Sequence, residues 1–180
     1  MEEKSLFWKN SLKHGLIVGL VIIIYSVLLY VLELNLIQAL GYVVYAILIA
    51  GFILGTKAFR DTNLNGNISY GKAFGYSIVI LLIASIIYSI YSYLLITVID
   101  PDMVDKIIAL GEEKMLKQGM TDDQIEMAQS MQKRFMSPVF MGIMSFIGTM
   151  FIGTILALIT SAVVKKEGDP YQEAMQDIEE

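Results

Sequence analysis

Apolar and polar positions do not alternate along this chain; they come in long blocks. Four blocks, at 15–32, 36–56, 73–99 and 139–164, contain no charged side chain. The longest, 73–99, is fenced by Lys72 on one side and Asp100-Pro101 on the other. At ~1.5 Å rise per residue a helix of that length reaches roughly 40 Å, more than the ~30 Å hydrocarbon core of a bilayer. It is dominated by Leu, Ile, Val and Phe. Each favours insertion by roughly 0.3–0.6 kcal/mol at mid-helix, which outweighs its serines and tyrosines. The pattern therefore predicts four membrane-spanning helices.

The stretches between the blocks predict how the spans are joined. Residues 1–14 are polar and net basic, with Trp8 among Lys4, Lys9 and Lys13, and read as an interfacial lead-in. The block at 15–32 is longer than the ~7–15-residue apolar core of a signal peptide and no A-x-A-like site follows it, so it is expected to stay as a span. Glu33-Leu34-Asn35 leaves room only for a tight helical hairpin into the second span. Residues 57–72 form a polar connector with an Asn65-Gly66 turn signal. Residues 100–137 read as an amphipathic helical hairpin. Asp100-Pro101 is expected to open its first helix, Gly119 to stop it, and Thr121-x-x-Gln124 to cap the second. Pro138 opens the fourth span and Lys165-Lys166 closes it. The tail from Glu167 is acidic and is expected to be solvated, with a short helix after Pro170.

Composition sharpens this picture. Of 180 residues, 56% are hydrophobic and 17% charged, too apolar for a soluble domain of one core's size, so lipid must cover part of the surface. The net charge of −5 and the lack of a basic face argue against a nucleic-acid partner. There is no cysteine and one histidine, His14, which excludes disulfides, thiol chemistry and histidine metal clusters. The basic residues at the amino end, in the 57–72 connector and at Lys165-Lys166 all fall on one side of the membrane. By the positive-inside rule this places both termini and the connector in the cytoplasm and the hairpin outside.

Candidate chemistry is sparse. Small residues recur at helix-packing spacing: Gly15 and Gly19, Gly51 and Gly55, Ser85 and Ser89, and Ser145, Thr149, Gly153, Ala157 and Ser161. Such faces let helices approach closely in lipid, and internal packing is favoured over dimerisation. Residues 61–69 resemble the start of a calcium loop, but its twelfth position holds Lys72 in place of a bidentate Glu, so turn formation is favoured over metal binding. Nine of the eleven methionines lie between Met103 and Met150. Without Cys or His beside them they suit an adaptable apolar surface better than a copper site. No ionisable residue other than tyrosine sits inside a span, unlike most ion-driven transporters. Neither a cofactor nor a metal is expected.

Three stretches carry a family resemblance: Gly55-Thr56-Lys57-Ala58-Phe59-Arg60-Asp61, then Gly66-Asn67-Ile68-Ser69-Tyr70-Gly71-Lys72-Ala73-Phe74, then Ala157-Leu158-Ile159-Thr160-Ser161-Ala162 running into Lys165-Lys166. With these the chain resembles the bacterial membrane-protein family known as domain of unknown function 4199. The resemblance implies a four-helix inner-membrane protein and brings no catalytic or binding residue with it.

The expectation is thus all-α: a single integral membrane domain, a four-span transmembrane helical bundle with an extracytoplasmic amphipathic hairpin between spans 3 and 4. Its expected role is as an interaction or structural subunit of the bacterial inner membrane, with a protein partner or a second copy of itself. Arg60, Asp61, Asn65, Gly66, Ser69, Tyr70 and Lys72 are the expected cytoplasmic docking surface. A small oligomeric transporter or channel is the alternative. A membrane enzyme using the external acids on a lipid-linked substrate comes third.

Overall fold

The computed structural model describes residues 2–166; the expected acidic tail and its short helix lie outside the described residues. The elements are α1 (Glu2–Val31), α2 (Gln38–Gly41), α3 (Val43–Asn63), α4 (Tyr70–Leu94), a π-helical turn (Leu95–Ile99), α5 (Met103–Lys117), α6 (Asp122–Phe135) and α7 (Pro138–Val164). Among the described residues there is no strand, only an isolated antiparallel bridge between Ile68 and Lys166. Four helices are long and apolar enough to cross a membrane: Glu3–Val31, Gln38–Asn63, Tyr70–Ile99 and Pro138–Val164. The chain is an all-α, multi-pass membrane protein.

Two helices run past the ends of their apolar blocks. The lead-in at 2–14 is the first part of α1 itself, because Phe7 and the buried Ser11 continue its packed face. Likewise α3 does not stop at Thr56. Phe59 is fully buried one turn further on and carries the helix through Arg60 to Asn63. The polar connector shrinks to 64–69.

The chain separates into two compact units, Met1–Ser85 with Met150–Glu180, and Ile86–Thr149. In the first, the small residues sit where helices meet. A methyl group on Gly15 would lie 2.8 Å from Ile83 Cβ, on Gly51 2.4 Å from Val18 Cγ2, on Gly55 3.0 Å from Ile80 Cδ1, and on Gly153 2.3 Å from Leu81 Cδ1. Gly19, Ala157 and Ser161 are buried as well. Ile22, Leu48, Phe52, Ile80 and Leu81 fill the core. Ile24, Leu54 and Phe151 face outward, as lipid-facing positions should.

In the second unit, Ser89 Oγ donates to the carbonyl of Gly142 at 2.7 Å, an interhelical bond of the kind small polar residues make in lipid. Ser145 is half-buried and Thr149 buried. Asp100 is not the helix cap expected. The proline after it favours an extended backbone, and Asp100 adopts φ −142° and ψ 82°, ending the π-helical turn. Its side chain accepts from Lys106 Nζ at 2.7 Å, and α5 starts one turn later, with Asp102 at the N-cap. Among the described residues, Met103 and Ile125 are the buried apolar side chains of the α5–α6 hairpin.

The helix ends follow local chemistry. At the end of α5, Met120 N–H donates to the Met115 carbonyl and Gly119 N–H to that of Leu116, with Gly119 at φ +77°. This is a Schellman motif with glycine at its left-handed position. Gln124 Oε1 accepts from the Thr121 N–H at 3.0 Å, half of a capping box. The same Schellman pattern ends α1, where Leu34 donates to Leu29 and Glu33 to Tyr30, but the left-handed residue is Glu33 at φ +58°. A side chain there costs about 1 kcal/mol or more. Glu33→Gly is therefore expected to stabilise the protein by roughly 0.5–1 kcal/mol, read as a higher unfolding midpoint in mixed micelles. An unchanged or lower midpoint would contradict the strain.

Candidate functional site

Most of the connector's polar groups are engaged within the first unit. Asn67 N–H donates to the Leu64 carbonyl at 3.0 Å across Asn65 and Gly66, at φ +50° and +84°. Two successive left-handed residues give a type I′ turn, for which Asn-Gly is the preferred pair. Ile68 then pairs with Lys166 through two backbone bonds of 2.7 and 3.0 Å, fastening the connector to the end of α7. Residues 61–69 are not one loop, since Asp61 and Thr62 belong to α3. Among the described residues no group of three His, Asp or Glu side chains is placed to hold a metal ion.

Arg60 has a structural task here. Its guanidinium donates to the Val164 carbonyl at 3.0 Å and to both Asp61 oxygens at 2.7 and 3.3 Å, with only 16% of the side chain exposed. A cation on a last-turn carbonyl offsets the negative end of the helix dipole. Tyr70 OH donates to the Leu158 carbonyl at 3.3 Å, and Lys72 pairs with Glu3. Ser69 supplies its carbonyl to Ala73 N–H at 3.0 Å. The seven residues thus form one end of the unit, with Asp61, Asn65, Asn67 and Ser69 exposed on it, beside Lys57. Arg60→Ala should free the end of α7. Amide exchange at Ile68, Lys165 and Lys166 is expected to rise about tenfold, the loss of a hydrogen bond to a charged group. Unchanged exchange would contradict the capping role.

The polar cluster beside this end was not apparent from sequence. His14 Nδ1 and Tyr76 OH share a hydrogen bond of 2.7 Å. Phe59 stacks on Tyr76 at 4.6 Å, Phe7 meets the same ring edge-on at 5.3 Å, and Thr56 and Ser77 hydroxyls lie 3.3 Å apart. Asn10 Nδ2 donates to Asn63 Oδ1 at 3.2 Å. One signal existed: Ser11, Gly15, Val18 and Ile22 fall at intervals of four, three and four, one buried stripe continuing from the lead-in into the span.

In the second unit the hairpin shows an apolar stripe. Met127, Met131 and Phe135, four apart on α6, are 70%, 58% and 55% exposed. The hairpin's polar side is tied internally: Gln129 Nε2 donates to Glu112 Oε2 at 2.8 Å and Lys117 Nζ to Glu113 Oε1 at 2.6 Å. The Lys117 hydrogen bond holds the Glu113 carboxyl below its ordinary pKa.

No curated protein and no solved structure matches the chain. A family model, described as a protein of unknown function (DUF4199), matches residues 13–166. That match takes in the four membrane-capable helices, the first of them from Lys13 onward, with the connector and the hairpin, and the chain belongs to this family.

Proposed function

We propose that this protein is an accessory subunit of a membrane assembly, a non-enzymatic chain that holds a protein partner. The observation that carries this is the exposed Met127, Met131 and Phe135 stripe on α6. Gly15, Gly51, Gly55 and Gly153 already meet the protein's own side chains, whereas Met127 and Met131 leave 70% and 58% of their surface exposed and Phe135 touches only the edge of the next helix, at Phe140. Methionine-rich faces adapt to irregular partner surfaces. The charge distribution supports an inner-membrane protein with both termini and the connector in the cytoplasm and the hairpin outside.

The partner in this reading is itself a membrane protein, since it meets the hairpin on one side and the connector on the other. Replacing Met127 and Met131 together by Asp is expected to cut partner retention at least tenfold in gentle extracts, with unchanged membrane levels. Equal retention sinks the hairpin's role. At the connector end of the first unit, Lys57→Glu on α3 and Asn67→Asp on the connector are the informative changes. Both side chains are exposed, and neither substitution removes the Arg60 cap.

A further inference from the structure

Between α1 and α3, within the first unit, lies a groove of about 450 Å³ open along one side. Its size falls in the ~300–1,000 Å³ range of small-ligand sites. Its lining includes Ala50, Gly51 and Gly55, with Val18 packed on Gly51, and Ile17, Val21 and Leu54 beside them. Apart from His14 the lining is apolar. His14 sits at one end and has Nδ1 engaged by Tyr76.

That end is the basic end of both helices. Lys13 directly precedes His14 on α1, with Lys9 one turn earlier, and Lys57 precedes the lining residue Ala58 on α3. All three lysines are exposed. Of the carboxylates nearest in sequence, Glu3 pairs with Lys72, and Asp61 pairs with Arg60 while also lying within electrostatic reach of Lys57. We propose that this groove holds one hydrocarbon chain of a lipid whose anionic headgroup is bound by Lys13 and Lys57. The charge pattern decides between occupants. A second copy inserted in the same orientation would bring its own Lys13 and Lys57 to the same level, like charge against like charge. An anionic headgroup meets the same lysines with attraction and leaves its chain in apolar surroundings.

The test uses the full-length protein in mild detergent, incubated with palmitoyl-oleoyl phosphatidylglycerol or with the zwitterionic phosphatidylcholine of the same chains, and read by native mass spectrometry. One phosphatidylglycerol per chain is expected, held roughly tenfold more tightly than phosphatidylcholine. The Lys13→Glu, Lys57→Glu double variant should lose that preference and keep its phosphatidylcholine binding. Ala50→Phe, which fills the groove from its open side, should lower retention of both lipids. Circular dichroism and the unfolding midpoint show that each variant is folded; a variant that is not is replaced by Lys13→Gln with Lys57→Gln, or by Ala50→Leu. Equal retention of the two lipids overturns the proposal. So does a phosphatidylglycerol preference that survives charge reversal, full lipid retention in the filled groove, or a lipid-free dimer.

Discussion

Tyr76→Ala is expected to destabilise the first unit by about 3–5 kcal/mol, the cost of removing a large aromatic side chain from a closed core. Tyr76 is fully buried, and its ring is gripped by two others. Phe59 is nearly parallel to it at 16°, and Phe7 meets it at 83°. Each such pair is worth about 0.5–1.5 kcal/mol beyond burial. In lipid the transfer of apolar groups between helix interior and bilayer gains little, so van der Waals packing supplies most of the difference. Phe7, Phe59 and Tyr76 come from α1, α3 and α4, so a cavity here loosens three helices together. Tyr76→Phe keeps the ring and loses only the bond to His14. Hydrogen bonds between membrane helices average about 0.6 kcal/mol and reach about 1.7, so this change should cost far less than the alanine one. Reversible unfolding in mixed micelles measures both. Equal costs would show that the hydrogen bond, and not ring packing, holds the site.

On α7 two glycine-to-alanine changes should have opposite signs. A methyl at Gly153 would come within 2.3, 2.8 and 3.1 Å of three Leu81 side-chain atoms. A leucine end can often swing aside, but Leu81 is fully buried and its Cγ, not only its end, lies at 3.1 Å. Gly153→Ala must therefore push α7 away from α4, and overpacking of this kind costs about 1–3 kcal/mol. At Gly148 nothing lies within 4 Å of the same methyl, and the residue is exposed on the helix. There the lower entropy of the unfolded alanine chain should stabilise by roughly 0.5–1 kcal/mol. Unfolding midpoints of the two variants, measured side by side, check this. A rise in both midpoints would mean that helix propensity, not close approach, governs α7, and a fall in both would contradict the open space at Gly148.

The four membrane-capable helices were legible because insertion depends on summed apolar content, which a sequence displays directly. Their ends were less so. The apolar pattern ends at Lys57, the first charge, yet Phe59 two residues later is buried and keeps the helix going. A charged side chain can lie on an exposed face while its neighbour packs, so a charge marks the edge of an apolar block and not the end of a helix. Asp100-Pro101 reads locally as a start signal. The structure uses it as a stop, because the chain arriving from α4 has first to leave the helix. The Asn65-Gly66 turn and the Gly119 stop were legible, since both depend on positive φ, a property of single residues. Arg60 was visible as a polar residue in a polar stretch. Its cap on Val164 was not, since the two are 104 positions apart and meet only through the fold. The His14 and Tyr76 pair was hidden for the same reason, being 62 positions apart.

The most direct measurement is the composition of what this protein holds in its own membrane. The tagged chain, at native expression, would be extracted gently and its co-purifying proteins counted by quantitative mass spectrometry. A stoichiometric membrane partner, lost when Met127 and Met131 are replaced by Asp, is the predicted result. A chain that leaves the membrane alone would contradict the subunit reading. So would one accompanied only by copies of itself, which would direct the next experiment to solute flux in liposomes.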